Sequence, residues 1–98
     1  MLEHIMKHQR HFGTRDAAQR EAVKIRKMIG DLDRSVQLLN CDIAIEEERT
    51  GMFDRSDAAY PMLARMLTAR RDNLRETITA LENQLSKQDQ AEMVAELA

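Results

Sequence analysis

An apolar residue recurs at alternating spacings of four and three through the first half of the chain. The members of this series are Ala18, Ala22, Ile25, Ile29, Leu32, Val36, Leu39 and Ile43. Such spacing places every member on one stripe of an α-helix, and its repetition over several heptads is typical of a coiled-coil or helix-bundle seam. The series therefore predicts an all-α fold in which the first long helix buries one continuous stripe.

Glycine and proline divide the chain into predicted helical segments. Gly13 separates a short N-terminal segment, residues 1–13, from a long helix over about residues 15–50, which Gly51 ends. A turn over residues 51–56 leads to a second long helix over about residues 57–85, and Pro61 either lies in its first turns or marks its start. Residues 14–85 thus form the predicted hairpin. The tail, residues 86–98, either continues the second helix or begins a new one at Ser86.

The second helix carries a matching apolar series. Its members are Tyr60, Leu63, Leu67, Leu74, Ile78, Leu81 and Leu85, and Arg70 and Arg71 interrupt it, which implies a shift of one residue there. Two long helices joined by a short turn fold back antiparallel. A turn centred near Phe53 places Leu39 beside Leu67. The sequence thus predicts an antiparallel two-helix hairpin.

The charge distribution favours the same topology. Residues 1–34 and 61–75 are net positive, whereas residues 35–60 and 76–98 are net negative. Folding the chain back on itself places opposite signs side by side at both ends of the hairpin. Because exposed ion pairs contribute only about 0–1 kcal/mol each, this pattern sets orientation more than stability.

More apolar residues lie near the turn than one seam can bury. Those outside the two series are Leu38, Cys41, Ile45, Met52, Phe53, Met62 and Met66. A contiguous exposed patch of this kind usually marks an interface, and small two-helix domains have little core of their own. We predict a homodimer in the form of a four-helix bundle. The alternatives are that the N-terminal segment or the tail covers the patch, or that another protein does.

Composition excludes several classes of function. The 98-residue chain has a formal net charge of −2, which gives no electrostatic basis for binding nucleic acid or an anionic membrane. No apolar stretch approaches the ~18 residues of a membrane-spanning helix. Cys41 is the only cysteine and cannot form an internal disulfide, which favours a reducing compartment. We expect a cytoplasmic protein without a cofactor.

Two clusters of side chains suggest ligand binding. His4, His8 and His11 follow an i, i+4, i+7 pattern that puts three imidazoles on one helix face, which suits a divalent metal ion. This histidine face is equally compatible with a solvated N-terminus without metal. Arg70 and Arg71 offer an anion site, and the alternative is that the arginines of the second helix form hairpin salt bridges with aspartates such as Asp72.

Residues 25–34, with the sequence IRKMIGDLDR, resemble the first helix of the all-helical chorismate mutases. The resemblance implies a small dimeric helical enzyme. That family requires an arginine shortly after its Leu-Leu pair and a lysine further along. Here Leu38-Leu39 is followed by Asn40, Cys41 and Asp42, so the cations that would hold a dicarboxylate substrate are missing. We therefore predict that the chain is not an enzyme of this kind.

A longer resemblance covers residues 42–50, 57–61 and 69–74, which are similar to segments of short, uncharacterised bacterial helical-hairpin proteins. That resemblance implies a hairpin fold and carries no activity. We predict a non-enzymatic, self-associating interaction or structural module. The alternatives are a metal- or ligand-responsive regulator that uses the histidine face and, less favoured, a chorismate mutase-like enzyme.

Overall fold

Two long antiparallel helices make up the fold. The computed structural model describes the backbone of residues 2–97 and the side chains of residues 16–95. Helix α1 spans Leu2–Thr50 and helix α2 spans Met62–Leu97, with no strand in the described range. The helices pack along their length into a rod of 73 × 25 × 15 Å. The prediction of an all-α hairpin is confirmed.

The apolar series of α1 is the buried seam. Ile25, Val36, Leu39 and Ile43 are buried, and Ala22, Ile29 and Leu32 are half-buried, whereas Ala18 is exposed. The same spacing then continues to Glu46, which is buried, and to Thr50, which is half-buried. The seam of α1 therefore ends in polar side chains next to the turn.

The seam of α2 differs from the predicted one at two positions. Its members are Tyr60, Ala64, Leu67, Arg71, Leu74, Ile78, Leu81, Leu85 and Gln88, all buried or half-buried. Leu63 is 52% exposed, and its neighbour Ala64 is fully buried instead. Arg71 occupies a seam position, so the four-three spacing passes through it without a shift. Assigning Leu63 to the seam was wrong, because only Ala64 keeps the spacing in phase with Leu67 and Arg71.

The connection between the helices is longer than predicted and occupies residues 51–61. Gly51, with φ of +70°, follows α1 in the left-handed conformation that the sequence suggested. Asp54 accepts hydrogen bonds from the Ser56 backbone N–H (3.0 Å) and hydroxyl (2.7 Å), and Asp57 accepts one from the Ala59 N–H at 2.9 Å. These turns hold residues 54–60 out of a helix.

Pro61 sets the start of α2 rather than lying inside it. The proline ring disfavours helical geometry at the preceding Tyr60, so a helix beginning at Ser56 or Asp57 cannot pass through it. The first backbone hydrogen bond of the new helix runs from the Arg65 N–H to the Pro61 carbonyl, at 3.0 Å. Of the two starting points considered for this helix, the one at the proline agrees with the structure.

The longer connection moves the register by about one helical turn. The guanidinium of Arg71 donates to the side-chain oxygen of Asn40 at 3.0 Å. This contact lies midway between those of Tyr60 with Glu47 and of Arg26 with Asp89, and the three together place Leu39 nearer in height to Arg71 than to Leu67, and Ile43 nearer to Leu67. In this register the seam positions of α1 and α2 lie at matching heights along the hairpin.

The helix ends also differ from the predicted boundaries. Helix α1 continues through Gly13, because a glycine inside a helix costs only about 1 kcal/mol relative to alanine. Helix α2 continues through Ser86 to Leu97, so the tail is part of it. Neither helix has, within the described residues, an apolar stretch long enough to cross a membrane.

Candidate interaction surface

A buried carboxylate occupies the turn-proximal end of the α1 seam. Glu46 is 7% exposed and accepts two hydrogen bonds from Arg49, at 3.0 Å from Nε and 2.5 Å from a terminal nitrogen. The hydrogen bond from Arg49 lowers the pKa of the Glu46 carboxyl, against a smaller opposing effect of burial. Glu46 is therefore held as an anion, and its charge is compensated within α1.

Among the described side chains, all polar contacts of α1 with α2 and with Tyr60 of the connection lie on one flank of the seam. Tyr60 donates its hydroxyl to Glu47 at 3.1 Å, and Arg71 donates to Asn40. Nearer the open end, Arg26 lies 4.0 Å from Asp89. Glu47, Asn40 and Arg26 each follow a seam residue directly, which places them on the same side of α1. We call this side the polar flank.

Exposed apolar side chains concentrate on the opposite flank. On α1, Leu38 (67% exposed) and Ile45 (63% exposed) lie one turn before and after Asp42 on one helical stripe. On α2, Leu63 and Met66 (63% exposed) share a stripe with Arg70. Asp42 and Leu63 each precede a seam residue, so both stripes lie opposite the polar flank. Leu38, Ile45, Leu63 and Met66 define the apolar flank.

The remaining predicted interface residues surround this flank. Phe53 in the connection and Met62 at the start of α2 are exposed, with exposed fractions of 62% and 70%. Met52 is half-buried, and Cys41 is exposed with a free thiol. Leu63 was missed as an interface residue because its hydropathy suggested a core position. The signal available in the sequence was the four-three spacing, which places Ala64 and not Leu63 in the seam between Tyr60 and Leu67.

A shallow cleft of about 450 Å³ lies where the connection meets the polar flank. Arg65 extends across it and donates to the backbone oxygens of Asp57 (3.1 Å) and Arg55 (3.4 Å), while its guanidinium lies 5.6 Å from the centre of the Tyr60 ring. Arg55 in turn contacts Asp72 at 3.3 Å. The two arginines that line the cleft, Arg55 and Arg65, therefore bind the connection to α2.

The two arginines proposed as an anion site do not converge. Arg71 is bonded to Asn40 and lies 3.3 Å from Asp72. Burial would raise the pKa of Asp72, but hydrogen bonds from Arg71 and Arg55 outweigh it, and the net pKa is lowered. Arg70 is exposed on the apolar flank. The structure thus places Arg70 on the apolar flank and Arg71 in the seam, where Arg71 pairs with its neighbour Asp72 within α2 and with the neutral side chain of Asn40 on α1.

The histidine face lies outside the described side chains, so the metal-binding hypothesis stays a prediction. Among the side chains of residues 16–95, no group of three histidine, cysteine or carboxylate residues is arranged to hold a metal ion. A zinc titration by calorimetry tests the hypothesis directly, with the three histidines changed to alanine as the control.

No protein-family model matches the chain, and no curated protein or solved structure matches it significantly.

Proposed function

We propose that this chain is a non-enzymatic helical-hairpin module that self-associates through its turn-proximal apolar surface. The observation that supports it is the apolar flank. Four large apolar side chains are more than half exposed there, next to further exposed residues such as Phe53 and Met62. Contiguous apolar surface of this kind is unfavourable in water and is usually covered by a partner.

The thin core of the hairpin supports the same proposal. Among the described side chains, no large one is fully buried, and only a handful of apolar residues fall below one tenth exposed. A two-helix hairpin of this size gains little stability from burial alone. Packing two hairpins into a four-helix bundle would bury the apolar flank of each and add a second layer of core.

Sedimentation velocity across a concentration series tests self-association. We expect wild-type protein to be dimeric at micromolar concentration and Ile45→Glu to be monomeric, because a carboxylate at the centre of the apolar flank would be buried without a partner. Val23→Glu is the matched control: Val23 is as exposed as Ile45, at 63%, but lies off the apolar flank near the open end.

The control variant is expected to remain dimeric, and circular dichroism checks that both variants keep their helices. Wild-type protein that is still monomeric at several hundred micromolar would refute the proposal. Dissociation by Val23→Glu to the same extent as by Ile45→Glu would place the interface elsewhere.

A further inference from the structure

The apolar flank also carries two charged side chains whose placement specifies how a second copy can dock. Asp42 lies on the α1 stripe between Leu38 and Ile45, and Arg70 lies on the α2 stripe beyond Met66. Both are exposed. Neither has an ion-pair partner within 4 Å among residues 16–95. In contrast, Arg49, two helical turns after Asp42, and Arg71, directly after Arg70, each have one.

The register of the hairpin puts these two charges at the same height along the rod. Because Leu39 lies level with Arg71, Asp42 on α1 and Arg70 on α2 lie nearly opposite each other across the seam. For the same reason Ile45 lies level with Met66. The flank thus presents an apolar layer and a charged layer, each with one member on each helix.

We infer, on the basis of the proposed self-association, that two copies dock through their apolar flanks with both turns at the same end. A two-fold axis along the rod then lays α1 of one copy on α2 of the other at equal height. Ile45 packs against the partner's Met66, and Asp42 faces the partner's Arg70. Two-fold symmetry repeats both contacts, so the interface closes with two opposite-charge pairs.

The other way to overlap the two turn-proximal flanks is unfavourable. With the hairpins opposed, α1 lies on the partner's α1, so Asp42 faces Asp42 and Arg70 faces Arg70. The surrounding charge acts in the same direction, since residues 35–60 are net negative and residues 61–75 are net positive. Like charges placed opposite one another disfavour a wrong arrangement, so the two turns lie together.

Charge exchange at these two positions tests the arrangement. We expect Asp42→Arg and Arg70→Asp each to weaken dimerisation about tenfold in sedimentation equilibrium, because each converts two attractive pairs into two repulsive ones. The double exchange restores wild-type affinity. An equimolar mixture of the two single variants forms heterodimers with affinity close to that of the wild type.

The mixture also separates a contact between copies from one within a chain. A pair broken inside both single variants is not rebuilt by mixing them, so recovery requires contact between chains. Single variants that dimerise as tightly as wild type, or a mixture without recovery, would overturn the inference while leaving self-association intact. A monomeric wild-type protein would refute both the inferred arrangement and the proposed self-association.

A spin label at the tip of the hairpin provides a geometric measurement. Ala58 is exposed in the connection, and Ala58→Cys in a Cys41→Ser background gives one label per chain. Docking with the turns together predicts a short distance between the two labels. Opposed hairpins that overlap at Asp42 would separate the labels by about twice the length of hairpin beyond Asp42, which is at least about 24 Å from the helical residues 43–50 alone, and would contradict the inference.

Discussion

Two isoleucines on α1, with one residue between them, distinguish the stability of the hairpin from its proposed self-association. Ile43 lies in the seam and is 5% exposed, whereas Ile45 lies on the apolar flank and is 63% exposed. Both are changed to alanine, so the chemical change and the loss of side-chain volume are identical. Only the surroundings of the side chain differ.

The expected cost of Ile43→Ala follows from its burial. Removing the side chain beyond the β-carbon takes away about three methyl or methylene groups, each contributing about 0.8 kcal/mol when buried. A partly open two-helix seam can collapse around the gap, so the total stays at the low end of the 2–5 kcal/mol seen for such changes, about 2–3 kcal/mol. For a chain of this length, that corresponds to a decrease in Tm of about 10–20 °C.

Thermal unfolding followed by circular dichroism, at several protein concentrations, measures both effects. Ile43→Ala should lower Tm at every concentration. Ile45→Ala should change Tm little at the lowest concentration, where the proposed dimer is dissociated, and should reduce the rise in Tm with concentration that the proposed self-association predicts. Equal decreases in Tm for the two variants at low concentration would refute the assignment of the seam.

Two further predictions concern polar groups in the seam. Because the folded-state pKa of Glu46 lies below its ordinary value of 4.5, its contribution to stability is present above pH 4.5 and is lost as the pH falls through the folded-state pKa. Glu46→Gln should therefore destabilise the hairpin at pH 7 in urea unfolding and converge with wild type in acid, whereas the exposed control Glu48→Gln should match wild type throughout. Replacing Arg71 by alanine removes the hydrogen bond to Asn40 and should lower stability by about 1–2 kcal/mol; an unchanged urea midpoint would show that this bond does not stabilise the register.

The α1 seam was predictable because its burial depends on a single local property. Apolar residues at spacings of four and three must share a face of any helix they form, and that face is the one removed from water. The C-terminal end of α1 followed similarly from Gly51, whose positive φ is the conformation that glycine adopts most easily. The exposure of Ile45 and Leu38 followed from their positions outside the seam.

The α2 seam was less predictable because hydropathy and spacing disagree there. Hydropathy favours Leu63 and excludes Arg71, while the structure buries Ala64 and half-buries Arg71. Arg71 is accommodated at the seam because its polar end reaches Asn40 and Asp72 at the edge of the interface. A charged side chain is tolerated at this seam position because it has a partner on the other helix, Asn40, and hydropathy alone does not identify such a partner.

The amino-acid sequence by itself determined that the chain forms two long helices, that they pair antiparallel, and that apolar side chains remain outside the seam near the turn. These properties depend on periodicity and turn chemistry, which are local. The tertiary structure alone decided which residues face each other and which flank is apolar. Register depends on the length of the connection over residues 51–61 and on contacts between distant residues, such as Arg71 with Asn40. A change of one helical turn leaves each helix intact while giving every seam residue a different partner, so only the packed hairpin resolves it.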